Sequence, residues 1–522
     1  MRYAHTVEQV RAAEGELLAR LPEGTLMHRA AAGLAATCAE LLSEARGGGG
    51  RDGGGRGGRV YGSRVVLLVG SGDNGGDALF AGARLAARGA RVGAVLLAPD
   101  RAHRAGLAAF RDAGGVLLGA AGTVLTEVQR EVCAEVGRAG LVVDGIVGIG
   151  GRGGLRAAAL PYVRAAARAG VPVVAVDLPS GVDADTGEVA GEAVRATVTV
   201  TFGTHKPGLL VDPGAEYAGI VRLVPIGIEP PPPAAEALQH ADVAALLPRP
   251  AHESDKYRRG VLGVAAGSAR YPGAAVLAVS SALHGGAGAV RYVGSAAREV
   301  VRAHPETLVS EGGLKQAGRV QAWVVGPGLS DGEEARRTLD EALAEAVATG
   351  VPVLVDADGL RLLARRGPVP GAELLLTPHA GEAVALLDGA GVGATREQVE
   401  AARLPYARRL AELYGCTVLL KGSTTVVAGP DPAAPVRVNP TGTPWLGTAG
   451  SGDVLSGLAG SLLAAGLSPL DAGSVAAYLH GLAGRAASRG TAGAADGGEA
   501  PVTASEVAAA LPAAWRSVTG AA

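Results

Sequence analysis

The chain is poor in aromatic residues and cysteines and carries almost no net charge. Phe, Trp and Tyr make up 3% of its 522 residues, so the base-stacking surfaces of single-strand binders are not expected. Its 48 Lys and Arg are balanced by 50 Asp and Glu, which argues against nucleic acid held by general electrostatics. Cys38, Cys133 and Cys416 are far apart, so neither a disulfide framework nor a zinc site is expected.

Membrane and export signals are also missing from the pattern. No apolar run reaches about 18 residues without a charge or a turn residue, so no membrane span is predicted. The first turns carry Glu8, Arg11, Glu14 and Glu16, which is not typical of a secretory signal. We therefore expect a soluble, cytoplasmic protein without a membrane or nucleic-acid partner.

Strand and helix patterns alternate on both sides of a proline-rich segment. Buried-strand runs begin with Val65–Val69 before it and with Val261–Ala265 after it. Strands that alternate with helices predict parallel sheets covered on both faces. We therefore predict an α/β protein with domains over residues 1–228 and 238–522, joined by a proline-rich linker over 229–237.

Two segments near the start of the chain have patterns of their own. Residues 8–43 have apolar positions at helical spacing, which predicts a helix there. Residues 47–58 are almost entirely Gly, Arg and Asp, a composition that buries nothing and predicts a flexible loop.

Polar residues follow three predicted strands of the first half. Gly70-Ser-Gly-Asp-Asn-Gly-Gly-Asp77 follows one strand and opens a helix, Asp144 ends a second strand, and Asp177 ends a third, with Ser180 just beyond it. Open α/β sheets bind their ligands at the carboxyl ends of strands. The oxygens of Asn74, Asp144, Asp177 and Ser180 suit a hard cation, although an aspartate at a strand end is also a common helix or turn cap.

With these motifs and its Lys206-Pro-Gly208 segment, the region over 8–228 resembles the epimerase domain of the bifunctional NAD(P)H-hydrate repair enzymes, a Rossmann-like three-layer sandwich. The resemblance implies interconversion of the R and S hydrates of NADH and NADPH, with K⁺ held by Asn74, Asp144 and Ser180. Asp144 is the candidate acid/base group, because epimerisation at the hydrated carbon needs proton transfer. The substrate-binding residues that it implies are Asp73, Asn74, Gly75, Gly76, Asp77, Gly148, Ile149, Gly150, Gly151, Arg152, Gly153, Gly154 and Asp177.

The most informative segment of the second half runs from Asn439 to Gly457. Its turn, Thr448-Ala-Gly-Ser-Gly452, consists of small residues that let backbone N–H groups approach a phosphate at the start of a helix. Asp453 follows at once, where a carboxylate can take a proton from a hydroxyl beside that phosphate. Lys421 and the hydroxyls after it can neutralise and bind nucleotide phosphates. These features predict phosphoryl transfer.

With the motif Leu376-Thr-Pro-His-Ala-Gly-Glu382, the region over 240–518 resembles the ADP-dependent NAD(P)H-hydrate dehydratase domain, which has a ribokinase-like fold. The resemblance implies that ADP phosphorylates the hydrate in the presence of Mg²⁺ and that phosphate then leaves, giving NAD(P)H, AMP and phosphate. Asp356 and Asp358 either help to place Mg²⁺ or cap the next helix. The implied contacts are Ala275, Gly328, His379 and Asp453 for the hydrate, and Lys421, Gly422, Ser423, Thr424, Thr425 and Gly452 for the nucleotide.

Two alternatives stay open at this point. A small-molecule kinase of the ribokinase-like class shares the Gly-x-Gly-Asp turn and would accumulate a stable phosphorylated alcohol. The first domain could also be a degenerate nucleotide-binding module, because Asp73 and Ile149 stand where the family usually has Asn and Thr. The favoured interpretation is a bifunctional, homo-oligomeric repair enzyme that acts on NADHX and NADPHX with ADP.

Overall fold

The chain forms two compact units in the computed structural model, Tyr3–Ala234 and Met1–Arg2 with Ala235–Ala522. The structure describes residues 1–44, 60–120, 127–310, 312–490 and 498–520. Among these described residues, no helix is both long and apolar enough to cross a membrane. The predicted loop over 47–58 lies outside them.

The first unit is a three-layer α/β sandwich around a parallel sheet. Strand β1 (Arg2–Ala4) crosses the boundary between the two units. The elements that follow it are α1 (Val7–Leu18), α2 (Thr25–Glu44), β2 (Arg64–Val69), α3 (Asp73–Ala87), β3 (Arg91–Leu96), α4 (Arg104–Asp112), β4 (Val116–Ala120), α5 (Glu127–Gly137), β5 (Leu141–Gly145), α6 (Leu160–Ala169), β6 (Val173–Val176), β7 (Val198–Phe202), α7 (Gly214–Ala218) and β8 (Ile220–Val224).

The seven strands of this sheet run parallel in the order β4-β3-β2-β5-β6-β7-β8. One face is covered by α2 and α3, whose buried side chains pack against Val65 and Leu67. The other face is covered by α5 and α6, which pack against Val66 and Leu68. The continuous apolar run of β2 is thus buried on both sides, as expected of a covered parallel sheet.

The helix predicted over 8–43 is two helices in the structure. α1 ends at Leu18 and α2 begins at Thr25. Between them, Pro22 disfavours helical backbone at the residue before it, and Gly24 takes a left-handed φ of 81°. The apolar periodicity is similar in both helices, so the break depends on these two residues.

The second unit is also an α/β layer structure, with a mixed sheet. Residues 235–237, inside the predicted linker, form a strand there. Its elements are β9 (Ala235–Ala237), α8 (His240–Leu246), β10 (Val261–Ala265), α9 (Pro272–His284), β11 (Ala289–Val293), α10 (Ala297–Ala303), β12 (Leu308–Ser310), β13 (Ala322–Val325), α11 (Glu333–Thr349), β14 (Val353–Val355), α12 (Asp358–Arg366), β15 (Leu374–Leu376), α13 (Ala380–Gly389), α14 (Arg396–Ala401), α15 (Arg403–Tyr414), β16 (Thr417–Leu420), β17 (Thr425–Ala428), β18 (Val436–Asn439), α16 (Ser451–Ala464), α17 (Pro469–Arg489) and α18 (Ala504–Thr519).

Within this unit the strands follow the order β9-β18-β17-β16-β15-β14-β13-β10-β11-β12. Pairing is parallel from β12 to β16 and antiparallel from β16 through β17 to β18. Helix α16 is buried at every position from Val454 to Ala464, between the sheet and its neighbours α9 and α17. An all-round apolar helix is typical of a core position, and its N-terminus carries the predicted phosphate turn.

Candidate functional site

In the first unit, the three predicted potassium ligands lie at adjacent strand ends. Ser180 donates to Asp144 twice, from its hydroxyl to Oδ1 at 2.7 Å and from its backbone N–H to Oδ2 at 2.9 Å. The amide nitrogen of Asn74 donates to the Val176 carbonyl at 2.6 Å. A Cβ at Gly148 would lie 2.2 Å from the Asn74 amide oxygen, so the glycine makes room for it. A carboxylate, a hydroxyl and an amide oxygen are the donors that fit a hard cation.

Asp144 is enclosed within the protein. Its side chain is 0% exposed, and Oδ1 also accepts the N–H of Ile146 at 3.3 Å. Burial raises the pKa of its carboxyl to about 6, while the hydrogen bonds from Ser180 and Ile146 oppose that rise. The geometry suits a cation ligand, and the acid/base role of Asp144 stays a prediction.

The glycine loop over 148–154 follows β5 and lies beside this cation corner. The backbone N–H of Val147 donates to the Ser180 hydroxyl at 3.0 Å, and the N–H of Gly151 closes a turn on the Gly148 carbonyl at 2.9 Å. Ile149, which stands where a hydroxyl residue is usual, packs against the apolar cluster that contains Leu178. The side chain therefore anchors the loop by apolar contact instead of a polar one.

The predicted turn over 73–77 is the first turn of helix α3. Asp73 is exposed at the helix start, whereas Asp77 is buried one turn later. A Cβ at Gly76 would lie 2.9 Å from the Met27 side chain, so the glycine lets α2 approach this turn closely. Asp77 carries one buried oxygen, Oδ1, without a hydrogen-bond partner in the described part of the chain.

Asp177, at the end of β6, forms a buried ion pair that the sequence did not predict. Its Oδ1 accepts from the Lys206 ammonium at 2.5 Å, and Lys206 is 1% exposed. The sequence analysis named Lys206 only as part of the Lys206-Pro-Gly208 segment that carries the family resemblance and gave the lysine no role. A lysine within the largely apolar stretch after β7 was the available signal, since buried lysines are rarely found unpaired.

In the second unit, Lys421 and Asp453 share a cluster of charged side chains. The Lys421 ammonium lies 2.7 Å from Asp356 Oδ1 and 3.7 Å from Glu382. The Ser456 hydroxyl donates to Asp356 Oδ2 at 2.6 Å. Asp356 is 1% exposed, so its carboxylate is a lysine partner in a buried site. The structure thus gives Asp356 a lysine partner that the sequence did not predict, and its part in placing Mg²⁺ stays a prediction.

Burial and neighbouring charges set the proton affinities of this cluster. Burial raises the pKa of Asp453 to about 7, with the Asp356 carboxylate adding to the rise and Lys421 opposing it. Burial also disfavours the charged form of Lys421, but the carboxylates of Asp356 and Glu382 outweigh it and raise the pKa of the amine. Asp453 thus exchanges a proton close to neutral pH beside a permanent cation.

Asp358 has a different partner. Its Oδ2 accepts the backbone N–H of Ser330 at 2.9 Å, and Ser330 has a left-handed φ of 67°. Asp358 therefore stabilises the loop after β13, next to predicted hydrate contacts.

The predicted hydrate contacts lie at the ends of neighbouring elements. A Cβ at Gly267 would lie 2.8 Å from the Ala275 Cβ, and the Gly267 N–H donates to the Pro327 carbonyl at 2.7 Å. Gly328 has a left-handed φ of 64°, and a Cβ there would lie 2.8 Å from α9 at Ala274. Ala275 and Gly328 are therefore close together because small residues stand at these positions.

His379 caps helix α13 at the edge of the charged cluster. Its Nδ1 accepts the Glu382 N–H at 3.1 Å, while the imidazole is largely exposed. The backbone N–H of Lys421 donates to the Pro378 carbonyl at 2.8 Å, so His379 and Lys421 both lie just beyond the ends of the neighbouring strands β15 and β16. The structure therefore brings the predicted hydrate and nucleotide residues to one sheet edge.

The predicted nucleotide-binding segment over 421–425 is the hairpin turn that joins β16 to β17. Ser423 is exposed in this turn, Thr424 is buried, and Thr425 starts β17. Arg403, which the sequence did not single out, donates to the Lys421 carbonyl at 3.5 Å. A Cβ at Gly422 would lie 1.9 Å from the Arg403 guanidinium, so only glycine fits there without displacing the arginine.

A buried histidine lies against the turn before α16. His480 of α17 has the Ser451 backbone as its hydrogen-bond partner, and burial lowers the pKa of its imidazole to about 4. A Cβ at Gly452, the next residue of the turn, would lie 3.5 Å from the Lys421 ammonium. The turn, the lysine and Asp453 thus form one site, which His480 supports as a neutral side chain.

Two family models match this chain. The model described as NAD(P)H-hydrate dehydratase matches residues 262–497, and the one described as YjeF-related protein N-terminus matches residues 23–208.

Similar proteins cover nearly the whole chain. A bifunctional NAD(P)H-hydrate repair enzyme of Mycobacterium leprae is 47% identical over 484 residues, 92% of this chain and 93% of that protein. Its Mycobacterium tuberculosis counterpart is 47% identical over 471 residues, 90% of each chain. Among solved structures, an ADP/ATP-dependent NAD(P)H-hydrate dehydratase from Bacillus subtilis, co-crystallised with ATP and Mg²⁺, is 29% identical, with a TM-score of 0.47, over 54% of this chain and 97% of that chain.

Proposed function

Because the chain belongs to the family of bifunctional NAD(P)H-hydrate repair enzymes, we propose that its two units carry out the two reactions of that repair. An epimerase domain over 1–228 interconverts the R and S forms of NADHX and NADPHX. A dehydratase domain over 238–522, after a linker over 229–237, converts the S hydrate to NAD(P)H and uses ADP. A cytoplasmic location and a homo-oligomeric state remain expectations from the sequence.

The dehydration is best supported by one observation, the pairing of Lys421 with Asp356 beside Asp453. The hydroxyl oxygen of the hydrate attacks the terminal phosphorus of ADP while Asp453 takes the hydroxyl proton, and AMP leaves. Phosphate then leaves from the hydrated carbon, the neighbouring carbon loses a proton, and the ring double bond is restored. Phosphate is a far better leaving group than hydroxide, which is why the reaction needs ADP.

The nucleotide is held by the hairpin turn over 421–425 and by Gly452 in this proposal. Lys421 neutralises phosphate charge, and the hydroxyls of the turn donate hydrogen bonds to phosphate oxygens. Mg²⁺ fits this place, because Asp356 and Asp453 supply carboxylate oxygens, and nucleotide-bound Mg²⁺ is usually held by one or two carboxylates together with phosphates. When bound, it neutralises charge on the transferred phosphoryl group. Ala275, Gly328 and His379 contact the hydrate.

In the epimerase domain, Asn74, Asp144 and Ser180 hold K⁺ in this proposal, which their convergence on one corner supports. The hydrate binds against the residues over 73–77, the glycine loop over 148–154, and Asp177. Asp144 keeps the acid/base role as a prediction from the sequence, and its raised pKa of about 6 is compatible with it.

The test is the recovery of absorbance in the NADH band from a mixture of R and S NADHX, with ADP and Mg²⁺ and with or without K⁺. Rapid, ADP-dependent recovery of the whole mixture is the expected result. Recovery that stops near the S fraction would leave the dehydratase and refute the epimerase. ATP-driven accumulation of a phosphorylated product without NADH would refute the proposal in favour of a kinase.

A further inference from the structure

Asp77 has a buried oxygen without a hydrogen-bond partner in the part of the chain that the structure describes. The residue is 6% exposed, and Oδ1 has no hydrogen bond among the described residues. Buried polar atoms are nearly always hydrogen-bonded in native proteins, so an exception calls for a physical explanation, such as a catalytic role or a bound ligand. Burial raises the pKa of the Asp77 carboxyl well above its usual range, and the carboxylates of Asp177, Asp73 and Glu14 add to the rise.

Asp177 has the opposite environment, because an ammonium group holds it. Its Oδ1 accepts from Lys206 at 2.5 Å, from the Thr201 hydroxyl at 3.1 Å and from the Phe202 N–H at 3.1 Å. Its φ of 67° is left-handed, a conformation that costs a non-glycine residue energy and is concentrated at functional sites. The three donors fix the orientation of the carboxylate, and Lys206 supplies its counter-charge.

Lys206 has no donor left for another task in this arrangement. Besides Asp177, its ammonium donates to the Thr201 hydroxyl at 3.0 Å and to the Phe202 carbonyl at 3.1 Å. These three bonds use all three of its N–H groups. The lysine is therefore a fixed positive charge behind one carboxylate.

The charges of this site do not balance if every carboxyl is ionised. The carboxylates of Asp177, Asp73 and Glu14 raise the pKa of Asp77, while Lys206 and Arg11 are the cations that lower the pKa of Glu14. Burial, followed by the charge of Asp177, raises the pKa of Glu14 as well. Asp77, a buried carboxyl with one oxygen that lacks a hydrogen-bond partner among the described residues, and Asp177, a carboxylate paired with Lys206, thus have the environments of an acid and a base within one site.

We propose that Asp77 and Asp177 are the proton-transfer pair of the epimerase reaction and that Lys206 is the positioning residue of Asp177. This inference rests on the proposed epimerase function. Asp144, the candidate from the sequence, is 0% exposed and accepts bonds from Ser180 and Ile146 in the cation corner. It therefore stays a cation ligand, and the acid/base role passes to Asp77 and Asp177.

The reaction balances without an added reactant. The Asp77 carboxyl gives its proton to the hydroxyl of the hydrated carbon, the C–O bond breaks, and water leaves as the ring nitrogen lone pair forms a C=N bond. Water then adds to the other face, the electron pair returns to nitrogen, and the Asp177 carboxylate takes the proton from the added water. The enzyme is left ready for the reverse reaction, and proton exchange with solvent restores the first state.

The experiment uses the full-length chain without ADP, so that dehydration is off, and follows R-to-S exchange of NADHX by chromatography in H₂¹⁸O. Wild-type exchange should introduce ¹⁸O in step with epimerisation. Asp77→Asn and Asp177→Asn should each lower kcat of both by about 10²- to 10⁴-fold, with KM changed by less than about threefold. Asp112→Asn, an exposed change on α4 outside the site, is the matched control.

Lys206→Met should lower kcat without a matching change in KM, because Lys206 acts through the Asp177 carboxylate and is not itself one of the hydrate contacts. Thermal unfolding of each variant verifies that the first unit is folded, and ADP-dependent dehydration of S-NADHX verifies that the second unit is intact. Wild-type-like kcat in Asp77→Asn, or epimerisation without ¹⁸O uptake in the wild type, would overturn the inference. Exchange by the wild type at only the spontaneous rate would instead refute the epimerase function itself.

Discussion

Replacing Asp453 by Asn separates catalysis from stability in the second unit. Its carboxyl has a pKa of about 7 in the folded chain, whereas the usual value is about 3.9. Because the pKa is higher in the folded chain, folding favours the neutral, protonated form of the Asp453 carboxyl. It costs no stability below about pH 4, and it lowers stability progressively as the pH rises to about 7. Asp453→Asn should therefore match the wild type near pH 4 and exceed it at pH 8 by up to about 4 kcal/mol.

The same substitution removes the base of phosphoryl transfer. We expect kcat of ADP-dependent dehydration to fall by about 10²- to 10⁴-fold, which corresponds to about 3 to 5 kcal/mol in the barrier. Epimerisation should stay within about threefold of the wild type, since its residues belong to the other unit. In the wild type, dehydration should speed up as the pH rises through about 7, because Asp453 must be ionised to act as a base.

Tryptophan fluorescence makes the stability measurement selective. Trp323, Trp445 and Trp515 all lie in the second unit, so urea unfolding followed by their emission reports on that unit. Asp388→Asn, an exposed change on α13, is the control and should change neither activity nor stability. The reasoning would be refuted by an Asp453→Asn chain that dehydrates within tenfold of the wild type, that is less stable at pH 8, or that is folded but has lost both activities.

Two further variants test the neighbouring contacts. Lys421→Met leaves the Asp356 carboxylate buried without its cation and should destabilise the second unit by about 3 to 5 kcal/mol, most of which adding Asp356→Asn should recover. Equal urea midpoints for Lys421→Met and the wild type would contradict this role of the pair. Ser180→Ala removes the hydroxyl beside Asp144, so half-maximal R-to-S exchange should need at least about tenfold more K⁺. An unchanged KCl titration would exclude Ser180 from the cation site.

The sequence predicted the features that depend on neighbouring residues. The apolar run over 65–69 predicted β2, and the small-residue turn before Asp453 predicted the start of α16. The alternation of strands and helices predicted the two α/β layer structures, and the family comparisons confirm the fold class. The prediction of a single helix over 8–43 was wrong, because it relied on the apolar periodicity and gave too little weight to Pro22 and Gly24, where the helix breaks.

The partners of the buried charges depended on which strand ends became neighbours in the sheets. Lys206 and Asp177 are 29 residues apart, Lys421 and Asp356 are 65 apart, and Ser456 and Asp356 are 100 apart. No local pattern links such positions, because strand order is set by the packing of whole elements. The burial that raises the pKa values of Asp77 and Asp453 is likewise a property of the folded chain and cannot be read from the sequence. The sequence by itself determined which chemical groups stand at the strand ends, and only the tertiary structure decided which of them meet and how tightly each holds its proton.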